Sequence, residues 1–497
     1  MADPGKFSGK VKVASSIVDY LSSGLYESPA ACMKELVNNS FDADASLVDI
    51  HVKPDADRII VTDDGTGLGR AEFEDHFGHV SESHKRDSGD CTAKGRPKVG
   101  RIGIGFIAAN ELCEEMEIVS TMKGSTDLMR VVVDFRKMRD PLNERRDKQG
   151  NVTKGDYRGT VDRAGRDEHY TRIYLNEVRP NVRDVMVGAS PIANTAGEDS
   201  LYGLAPRSIS ERLEKPGLRT WGDLNLYSQT MLKVGLNVPV AYAPDWMPPR
   251  IRKRVRDLED EVEKLDFLVR WDGTDVRKPV VLGHDPDKLP HVLRRFEFKG
   301  EHVSARGYFF AQHGVVEPQE LNGLLIRIRN AAVGDYDSSF LGFRASEYQI
   351  LKRWVSGEIW ASNELEDALN IDRRTLREAH PAFVELQAAV HEELRSFFRE
   401  ARKKLYEEPS RERKNERASA QSDRIKEIAG RHRLTAPRLS PAGSSGTKGS
   451  EQPSSKALSR SYSASELYEL ALEVAEEELP RDLFRRFAKA LARRISR

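Results

Sequence analysis

The sequence predicts an α+β protein: an α/β sandwich with helices on one face of a mainly antiparallel sheet, followed by a second α/β domain and a helical C-terminal tail. One observation is a set of apolar or alternating segments with helical stretches among them. These predicted strands are 47–62, 115–122, 128–136 and 170–177. Another is a new set of strands after residue 190, at 265–271, 278–282, 293–298, 303–311 and 323–330, preceded by helical segments near 208–214 and 249–264. The last is helical spacing of apolar residues in 463–497.

Composition limits the class of protein. The chain has 497 residues, enough for two or three domains, and its formal net charge of zero gives no general reason to expect nucleic-acid or membrane binding. No apolar run approaches membrane length, and the first residues do not resemble a signal peptide. The three cysteines, Cys32, Cys91 and Cys113, have unrelated spacing, which argues against disulfides or a zinc site. We therefore expect a reducing, cytoplasmic location, with Cys32 and Cys113 buried and Cys91 in a loop.

A helix with polar residues on one face is the first candidate for function. Residues Pro29–Ala43 read as a helix with Ser28 as its N-cap. Glu35 and Asn39 are one turn apart, and Asp42 follows on the same side. An amide oxygen can ligate Mg2+, and a carboxylate can orient and deprotonate a water molecule. A simple solvated helix face is the alternative.

A strand that ends in an aspartate is the second candidate. The β-branched segment 58–62 leads to Asp63, and Gly65 and Gly67 then permit a tight turn. A buried carboxylate at this place can accept a hydrogen bond from an exocyclic amine such as that of adenine, and would discriminate against a base without that donor. An ordinary Asp-Gly turn is the alternative.

Three glycines before a helical segment form the third candidate. They are Gly100, Gly103 and Gly105, followed by the helix-like segment 106–109. Glycines before a helix start let backbone N–H groups approach phosphate oxygens. The spacing fits neither a dinucleotide-binding fold nor a GxxxxGK[ST] phosphate loop.

Together and in this order, the three signals resemble the ATP-binding domain of the GHKL superfamily, which includes DNA gyrase, the ninety-kilodalton heat-shock chaperones, histidine kinases and MutL. The third has the form used by heat-shock chaperones and microrchidia ATPases. The resemblance implies a Bergerat-type sandwich binding ATP and Mg2+, with Glu35 as catalytic base, Asn39 as Mg2+ ligand and Asp63 as adenine reader. The residues implied at the nucleotide are Asn39, Asp42, Asp63, Gly65, Gly67, Lys85, Gly100, Gly103, Ile104, Gly105, Phe106 and Thr171.

Two of these residues depend on looser matches. The polar stretch 78–99 has no hydrophobic period and reads as a mobile loop, where the family has its ATP lid with a lysine matched by Lys85. The family's fourth motif is Gly-Thr before a strand. Here Tyr170 replaces the glycine, so Thr171 remains as the expected adenine-side contact.

A second resemblance lies in the later part of the chain. The segment 366–373 is similar to the L-N-V-S-R segment of the heat-shock chaperone middle domain, which implies that Arg373 reaches the γ-phosphate in a closed state. A guanidinium suits that task because it binds phosphate oxygens bidentately. A surface arginine is the alternative. The lysine motif of the gyrase and MutL branch, Q-T-K, does not occur at a suitable place in the sequence. Arg327 and Arg329 alternate with apolar residues, which predicts a strand with one solvated face.

The predicted domains are an ATP-binding domain at 1–190, a middle-like domain at 191–400, a charged helix and linker at 401–462, and a helical hairpin at 463–497. An N-terminal helix is expected before residue 28, and 137–169 are expected to be a charged loop. Helix 380–408 has an apolar stripe; 403–438 reads as a solvated helix, with nucleic-acid contact as the alternative. The hairpin's apolar residues are Leu467, Leu470, Val474, Leu479, Leu483, Phe484, Phe487, Leu491 and Ile495.

The combined hypothesis is a Mg-ATP-hydrolysing, chaperone-like dimeric clamp. Its client is a protein or a nucleic acid, and the hairpin is its dimer or partner contact. The alternative is a nucleotide-sensing regulatory protein with negligible turnover. A histidine kinase is disfavoured because too little chain precedes the motifs, and a topoisomerase because no cleavage domain follows.

Overall fold

The computed structural model describes residues 6–13, 28–78, 90–100, 107–139, 145–146, 152–188, 201, 203–214, 218–280, 290–370, 373–431 and 464–495. These form two compact units, Met1–Ala401 and Arg402–Arg497. The predicted α+β architecture is confirmed. Within the described ranges, no helix is both long and apolar enough to cross a membrane. The N-terminal helix was expected within residues 1–28, of which Lys6–Val13 is a strand and 14–27 lie outside these ranges, as does the linker at 437–463.

A ten-stranded sheet is the framework of the first unit. Its strands are β1 (Lys6–Val13), β2 (Leu47–Lys53), β3 (Arg58–Asp63), β4 (Cys113–Thr121), β5 (Asp127–Asp134), β6 (Arg145–Arg146), β7 (Val152–Arg163), β8 (Tyr170–Val178), β9 (Leu268–Trp271) and β10 (Thr274–Val276). The order is β1-β7-β5-β4-β8-β3-β2-β9-β10, with β6 on β7. Only the β2–β9 pairing is parallel among these described pairs. Strands from both sides of residue 190 thus share this sheet, and the domain boundary there stays a prediction.

Two local predictions for this sheet were wrong. The segment 137–169 is not a charged loop, because β7 runs through it and pairs with β1 on one side and β5 on the other. Backbone hydrogen bonds hold β7 in the sheet although its side chains are largely polar. The strand predicted at 278–282 lies earlier, at Thr274–Val276; residues 278–280 contribute only an isolated bridge, and 281–282 are outside the described ranges.

Eight described helices lie between the strands of the first sheet along the chain. They are α1 (Pro29–Asp42), α2 (Arg70–Gly78), α3 (Phe135–Arg139), α4 (Pro180–Met186), α5 (Pro206–Glu214), α6 (Leu226–Asn237), α7 (Pro249–Arg252) and α8 (Arg256–Glu263). Strands β2 and β3 bury alternate side chains, so one face meets the helices. The buried residues of α1 include Leu36, Val37 and Phe41, and α1 also packs on α6. This places the polar stripe of α1 beside the end of β3.

A five-stranded sheet forms the rest of the first unit. Its strands are β11 (His291–Lys299), β12 (Ser304–Gln312), β13 (Gly323–Ile328), β14 (Ala331–Asp337) and β15 (Val355–Ala361), in the order β11-β12-β15-β13-β14. The short helix α9 (Gln349–Lys352) precedes β15, and α10 (Pro381–Ala401) packs on β11 and β12. The apolar stripe predicted for α10 is buried.

The prediction of a solvated face for Arg327 and Arg329 was wrong. Strand β13 lies between β15 and β14 and is buried along its whole length. Arg327 is fully buried, where it binds the carboxylate of Glu358 and donates to the Leu236 carbonyl over 3.0 Å. The hydroxyls of Tyr242 and Tyr308 donate to the same carboxylate over 3.0 and 3.1 Å. The arginine in this alternating segment belongs to a buried polar cluster. Its charge and that of Glu358 are tolerated there because groups from distant segments bind them.

The second unit is helical in its described residues. A π-helical turn at Arg402–Glu407 leads into the charged helix α11 (Glu408–Arg431), most of whose described side chains are exposed, in agreement with the solvated-helix interpretation. Helices α12 (Ala464–Glu478) and α13 (Arg481–Ile495) form the predicted hairpin. Its small core contains Tyr468, Leu472, Ala475, Phe484 and Ala488.

Candidate functional site

Helix α1 begins as the sequence predicts. Ser28 is its N-cap and accepts a hydrogen bond from the Ala31 amide over 3.4 Å, and Pro29 occupies the first turn. Glu35, Asn39 and Asp42 are half-buried, whereas most of the residues between them are buried. The spacing therefore produces one partly accessible polar stripe, next to the glycine turn that follows β3.

A buried lysine that the sequence analysis missed lies at the start of this stripe. Lys34 is only 7% exposed, and its ammonium group is 3.9 Å from a carboxylate oxygen of Glu35. Burial lowers the pKa of Lys34; Glu35 opposes this effect, and the positive charges of Arg373 and Arg374 reinforce it. Glu35 is thus held by a cation in this structure. A lysine next to a motif glutamate was the only signal in the sequence.

Asp63 is an acid at the site whose pKa is shifted by burial. It is 6% exposed at the end of β3 and accepts hydrogen bonds from the Ser40 hydroxyl and the Gly65 amide, both over 2.9 Å. Burial raises its pKa to about 6, although these hydrogen bonds lower it. The carboxylate is therefore ionised at neutral pH and held in one orientation. Sequence reasoning missed Ser40, which follows Asn39 directly on α1.

The turn after Asp63 requires its two glycines. Gly67 has φ +77°, and a Cβ there would lie 2.0 Å from the Thr121 carbonyl oxygen. A Cβ at Gly65 would lie 2.6 Å from the Ala43 carbonyl oxygen, so β3 and α1 approach each other closely here. The ring of His169, another residue missed from the sequence, contacts the Gly65 carbonyl at 2.7 Å.

Thr171 lies beside Asp63 on the neighbouring strand. The two residues are paired in the β3–β8 ladder, and Thr171 is 8% exposed. The hydroxyls of Thr171 and Ser120 are 3.0 Å apart, and Ser120 also binds the Tyr170 carbonyl over 2.8 Å. The structure therefore brings Ser40, Asp63 and Thr171 together although they are far apart in sequence.

Asp42 anchors the segment before the third glycine motif. Its two carboxylate oxygens accept hydrogen bonds from the amides of Val99 and Gly100, each over 2.7 Å. The segment 90–100, which we call the lid base, is closed by a bridge between Cys91 and Pro97. Lys94 fixes it to the turn after α1, because its amide donates to the Asp44 carboxylate over 3.0 Å. Cys91 is exposed, and Cys32 and Cys113 are buried free thiols, as predicted.

Several predicted nucleotide contacts lie outside the described residues. They are Lys85, Gly103, Ile104, Gly105 and Phe106. Their roles stay predictions.

Arg373 follows the 3-10 helix Asn363–Ala368, in a segment that we call the Arg373 loop. It has φ +53°, and its amide donates to the Asn370 carbonyl over 3.0 Å. Its guanidinium is 3.8 Å from Glu366, and its effect on the pKa of Lys34 indicates that the loop lies near the start of α1. The structure thus brings Arg373 towards the Glu35 stripe from more than 300 positions along the chain.

The polar stripe of α1 fits a magnesium ion bound together with phosphate. Asn39 Nδ2 is buried and has no hydrogen-bond partner among the described residues, so this donor is available to an acceptor such as a phosphate oxygen, while the amide oxygen Oδ1 is the atom of the type that Mg2+ takes. No group of three or more His, Cys, Asp or Glu side chains in the described ranges could hold a metal alone. Mg2+ usually keeps waters and takes one or two protein ligands plus substrate phosphates. The Oδ1 atom of Asn39 is of the type that could fill one such position beside phosphate oxygens and water.

Comparison with known proteins agrees with this geometry. Residues 26–160 match the family model described as "Histidine kinase-, DNA gyrase B-, and HSP90-like ATPase". A putative type II restriction enzyme, HgiDII, from Herpetosiphon aurantiacus is 30% identical over 124 residues, 25% of this chain and 19% of that protein. The chaperone protein HtpG of Ruthia magnifica subsp. Calyptogena magnifica is 25% identical over 133 residues, 22% of each protein. The mitochondrial heat shock protein 75 kDa of Bos taurus is 26% identical over 123 residues, 21% of this chain and 18% of that protein.

These matches cover only a small part of each relative. The aligned segments span 18–22% of the relatives' lengths. The similarity therefore concerns the region that contains α1, β3 and the lid base, and it does not extend to the rest of the chain.

Proposed function

Because residues 26–160 belong to the histidine kinase-, DNA gyrase B- and HSP90-like ATPase family, we propose that this chain binds Mg-ATP between α1 and the end of β3 and hydrolyses it. One observation carries the proposal: the buried, oriented carboxylate of Asp63 lies beside the half-buried Glu35–Asn39 stripe. ATP hydrolysis needs one carboxylate that recognises adenine and a second that takes a proton from water, and this site has both.

Asp63 is the proposed adenine reader. Its ionised carboxylate accepts a hydrogen bond from the exocyclic amine of adenine, while Ser40 and Gly65 hold it in place. Guanine has a carbonyl at the corresponding position, which would face the carboxylate with two acceptors opposed. ATP is therefore expected to bind much more tightly than GTP. Thr171 lies on the same side and adds a hydroxyl near the base.

Glu35 is the proposed general base. It accepts a proton from water, the water oxygen bonds to the γ-phosphorus, and the bond from that phosphorus to the β,γ-bridging oxygen breaks, giving ADP and phosphate. Asn39 would hold Mg2+, which offsets negative charge on the phosphate oxygens. Arg373 is proposed to add a positive charge at the γ-phosphate when its loop closes on the site. Gly67 and the glycines at 100, 103 and 105 would line the phosphates.

A dimer joined by the C-terminal hairpin is the proposed assembly. The sequence of α12 has six acidic and no basic residues, and that of α13 has six basic residues and one acidic residue. Outside the hairpin core, each helix also exposes an apolar stripe; the exposed residues are Leu467, Leu470, Val474, Leu483 and Phe487. In an antiparallel pair of hairpins, the acidic helix of one copy faces the basic helix of the other and both stripes are buried.

This dimer makes a direct prediction. Leu470→Glu puts a charge in the stripe without touching the hairpin core and should give a monomer in sedimentation velocity, whereas Arg411→Gln on the exposed helix α11 should leave the dimer intact. A Leu470→Glu protein that remains dimeric would rule out this interface and leave the hairpin to another protein.

A chaperone-like clamp acting on a protein or nucleic-acid client is the proposed cellular role, supported by the HtpG names among the relatives. A cytoplasmic location belongs to the proposal because all three cysteines are free. The restriction-enzyme name of another relative keeps nucleic acid open as a client. The clamp reading requires that ATP closes the Arg373 loop on the site.

A nucleotide sensor with negligible turnover is the second candidate, and one observation favours it. Lys34 Nζ is 3.9 Å from Glu35 Oε1, and a cation at this distance makes a carboxylate a weaker base towards water. In a clamp, Glu35 would have to leave this pair in order to accept a proton from water. In a sensor it would persist.

Nucleotide selectivity tests the proposed site. Equilibrium binding of Mg-ATP and Mg-GTP is measured for the wild type, Asp63→Asn and the matched control Asp55→Asn, an exposed aspartate before β3. We expect a strong ATP preference in the wild type and the control, and loss of that preference in Asp63→Asn. Equal binding of ATP and GTP by the wild type would contradict the assignment of Asp63.

A further inference from the structure

Arg329 connects parts of the first unit that are distant in sequence. It follows β13 at the turn to β14, where Arg329 and Asn330 have φ of +52° and +66°. Its side chain is only 1% exposed. Two consecutive left-handed residues make a tight turn, so the guanidinium is placed by the sheet rather than by a flexible loop. A buried guanidinium at a fixed position has to be satisfied by whatever surrounds it.

One set of partners belongs to the lid base. The Nη1 atom of Arg329 donates to the carbonyl oxygens of Lys98 and Asp90 over 2.7 and 3.2 Å, and Nη2 reaches the Asp90 carboxylate at 3.2 Å. The amide of Lys98 donates to the Asp90 carbonyl over 3.0 Å, so Arg329 holds both ends of the loop. The next two residues are those whose amides bind Asp42. Arg329 therefore fixes the segment that leads into the third glycine motif.

The other partners belong to the Arg373 loop. The Nε atom of Arg329 is 3.2 Å from Asn363 Oδ1 and 3.2 Å from Glu366 Oε1. Glu366 Oε1 is in turn 3.8 Å from the guanidinium of Arg373. One buried carboxylate oxygen is thus shared between Arg329 and Arg373. Asn370 and Thr375 on the two sides of this loop are joined, because Asn370 donates to Thr375 through both its backbone amide and its side chain.

We propose that Arg329 is a positioning residue that couples the lid base to Arg373, so that Arg373 takes its working position only while Arg329 is bound to Asp90 and Lys98. If the lid base moves away, the buried guanidinium loses three hydrogen bonds and draws more strongly on Glu366. The interaction between Glu366 and Arg373 then becomes weaker. The proposal rests on the proposed function for its rate measurement, because Arg373 is assigned there to the γ-phosphate.

Steady-state ATP hydrolysis tests the coupling. Arg329→Gln should lower kcat at least about fivefold, the lower end of typical coupling effects, and leave KM within about twofold. The double variant Arg329→Gln/Arg373→Ala should be no slower than Arg373→Ala alone, because both act through one group. The control is Arg295→Gln on β11 of the same sheet, which removes an exposed ion pair to Asp257 of α8. The proposal would be overturned if the double variant lost kcat by the product of the two single-variant losses, or if Arg329→Gln raised KM and left kcat unchanged.

Hydrogen exchange separates this coupling from the hydrolysis proposal and from general destabilisation. With a non-hydrolysable ATP analogue bound to the full chain, wild-type protein should show changed protection in both the lid base and the segment 363–377. In Arg329→Gln only the lid base should respond. A response of both segments in the variant would overturn the coupling, whatever the turnover. If Arg329→Gln does not fold, Arg329→Lys replaces it, because lysine keeps the buried charge but has fewer donors. In this variant, too, the lid base should respond and the segment 363–377 should not.

Discussion

Replacing Asp63 by asparagine should make the protein more stable and, at the same time, unable to recognise adenine. Burial raises the pKa of Asp63 from 3.8 to about 6, which means that the folded protein resists ionising this group. The difference of roughly 2 pH units corresponds to about 3 kcal/mol of unfolding free energy. Asparagine carries no charge and can still accept from Gly65 and meet Ser40, so it avoids this cost.

The pH dependence of the Asp63→Asn effect follows from the sign of the shift. The folded-state pKa is raised, so the wild-type protein has the full stabilisation below pH 3.8 and loses it as pH rises through about 6. The variant has no such titration. The stability difference between the variant and the wild type should therefore grow from its value near pH 4 by up to about 3 kcal/mol above pH 6. Other carboxylates titrate in both proteins and cancel.

Thermal unfolding of both proteins between pH 4 and pH 8, with and without adenosine, measures both effects. Adenosine has no phosphates, so its binding reports on the base contact alone. We expect the variant to unfold at a higher temperature than the wild type above pH 6, and only the wild type to be stabilised by adenosine. The reasoning would be refuted if the midpoint difference did not change with pH, or if adenosine stabilised both proteins equally.

The remaining predictions concern the turn, the metal and the buried ion pair. Gly67→Ala should destabilise the protein and abolish ATP binding, since its Cβ would lie 2.0 Å from a carbonyl oxygen; thermal unfolding and ATP titration check this. Asn39→Ala should raise the Mg2+ concentration that half-saturates ATP binding, at unchanged Mg2+-free affinity. Glu358→Ala should cost roughly 3–5 kcal/mol in urea unfolding, because Arg327 would remain buried without its carboxylate. Conversely, Glu117→Ala, which removes the partner of the half-exposed Arg130, should cost less than about 1 kcal/mol.

The parts of the fold and site that depend on local signals were predictable from the sequence. Helix α1 has a cap, a first-turn proline and an apolar face within fifteen residues, and the strand that ends at Asp63 is β-branched and followed by two glycines. The free state of the cysteines followed from their irregular spacing. In each case the determining physics lies within a few residues of the feature.

The parts that depend on distant neighbours were not predictable. In the sequence, Arg327 and Arg329 look like a solvated strand face. Both arginines can be buried because Glu358, Glu366 and the lid base lie close to them in the fold. Strand β7 looks like a charged loop because its stability comes from two flanking strands. In the hairpin, the apolar residues Leu467, Leu470 and Val474 were correctly seen as a stripe, but the core is built from Tyr468 and Leu472. Sequence periodicity does not say which of two apolar faces meets the neighbour.

The measurement that tests the central claim most directly is phosphate release from Mg-ATP by the purified full chain, compared with Glu35→Ala, with bound nucleotide identified in both. The account predicts turnover in the wild type and none in the variant, which should retain intact ATP. Equal turnover in both proteins would contradict the assignment of Glu35 as the base. Tight ATP binding without turnover in the wild type would contradict hydrolysis and leave the nucleotide-sensor function in its place.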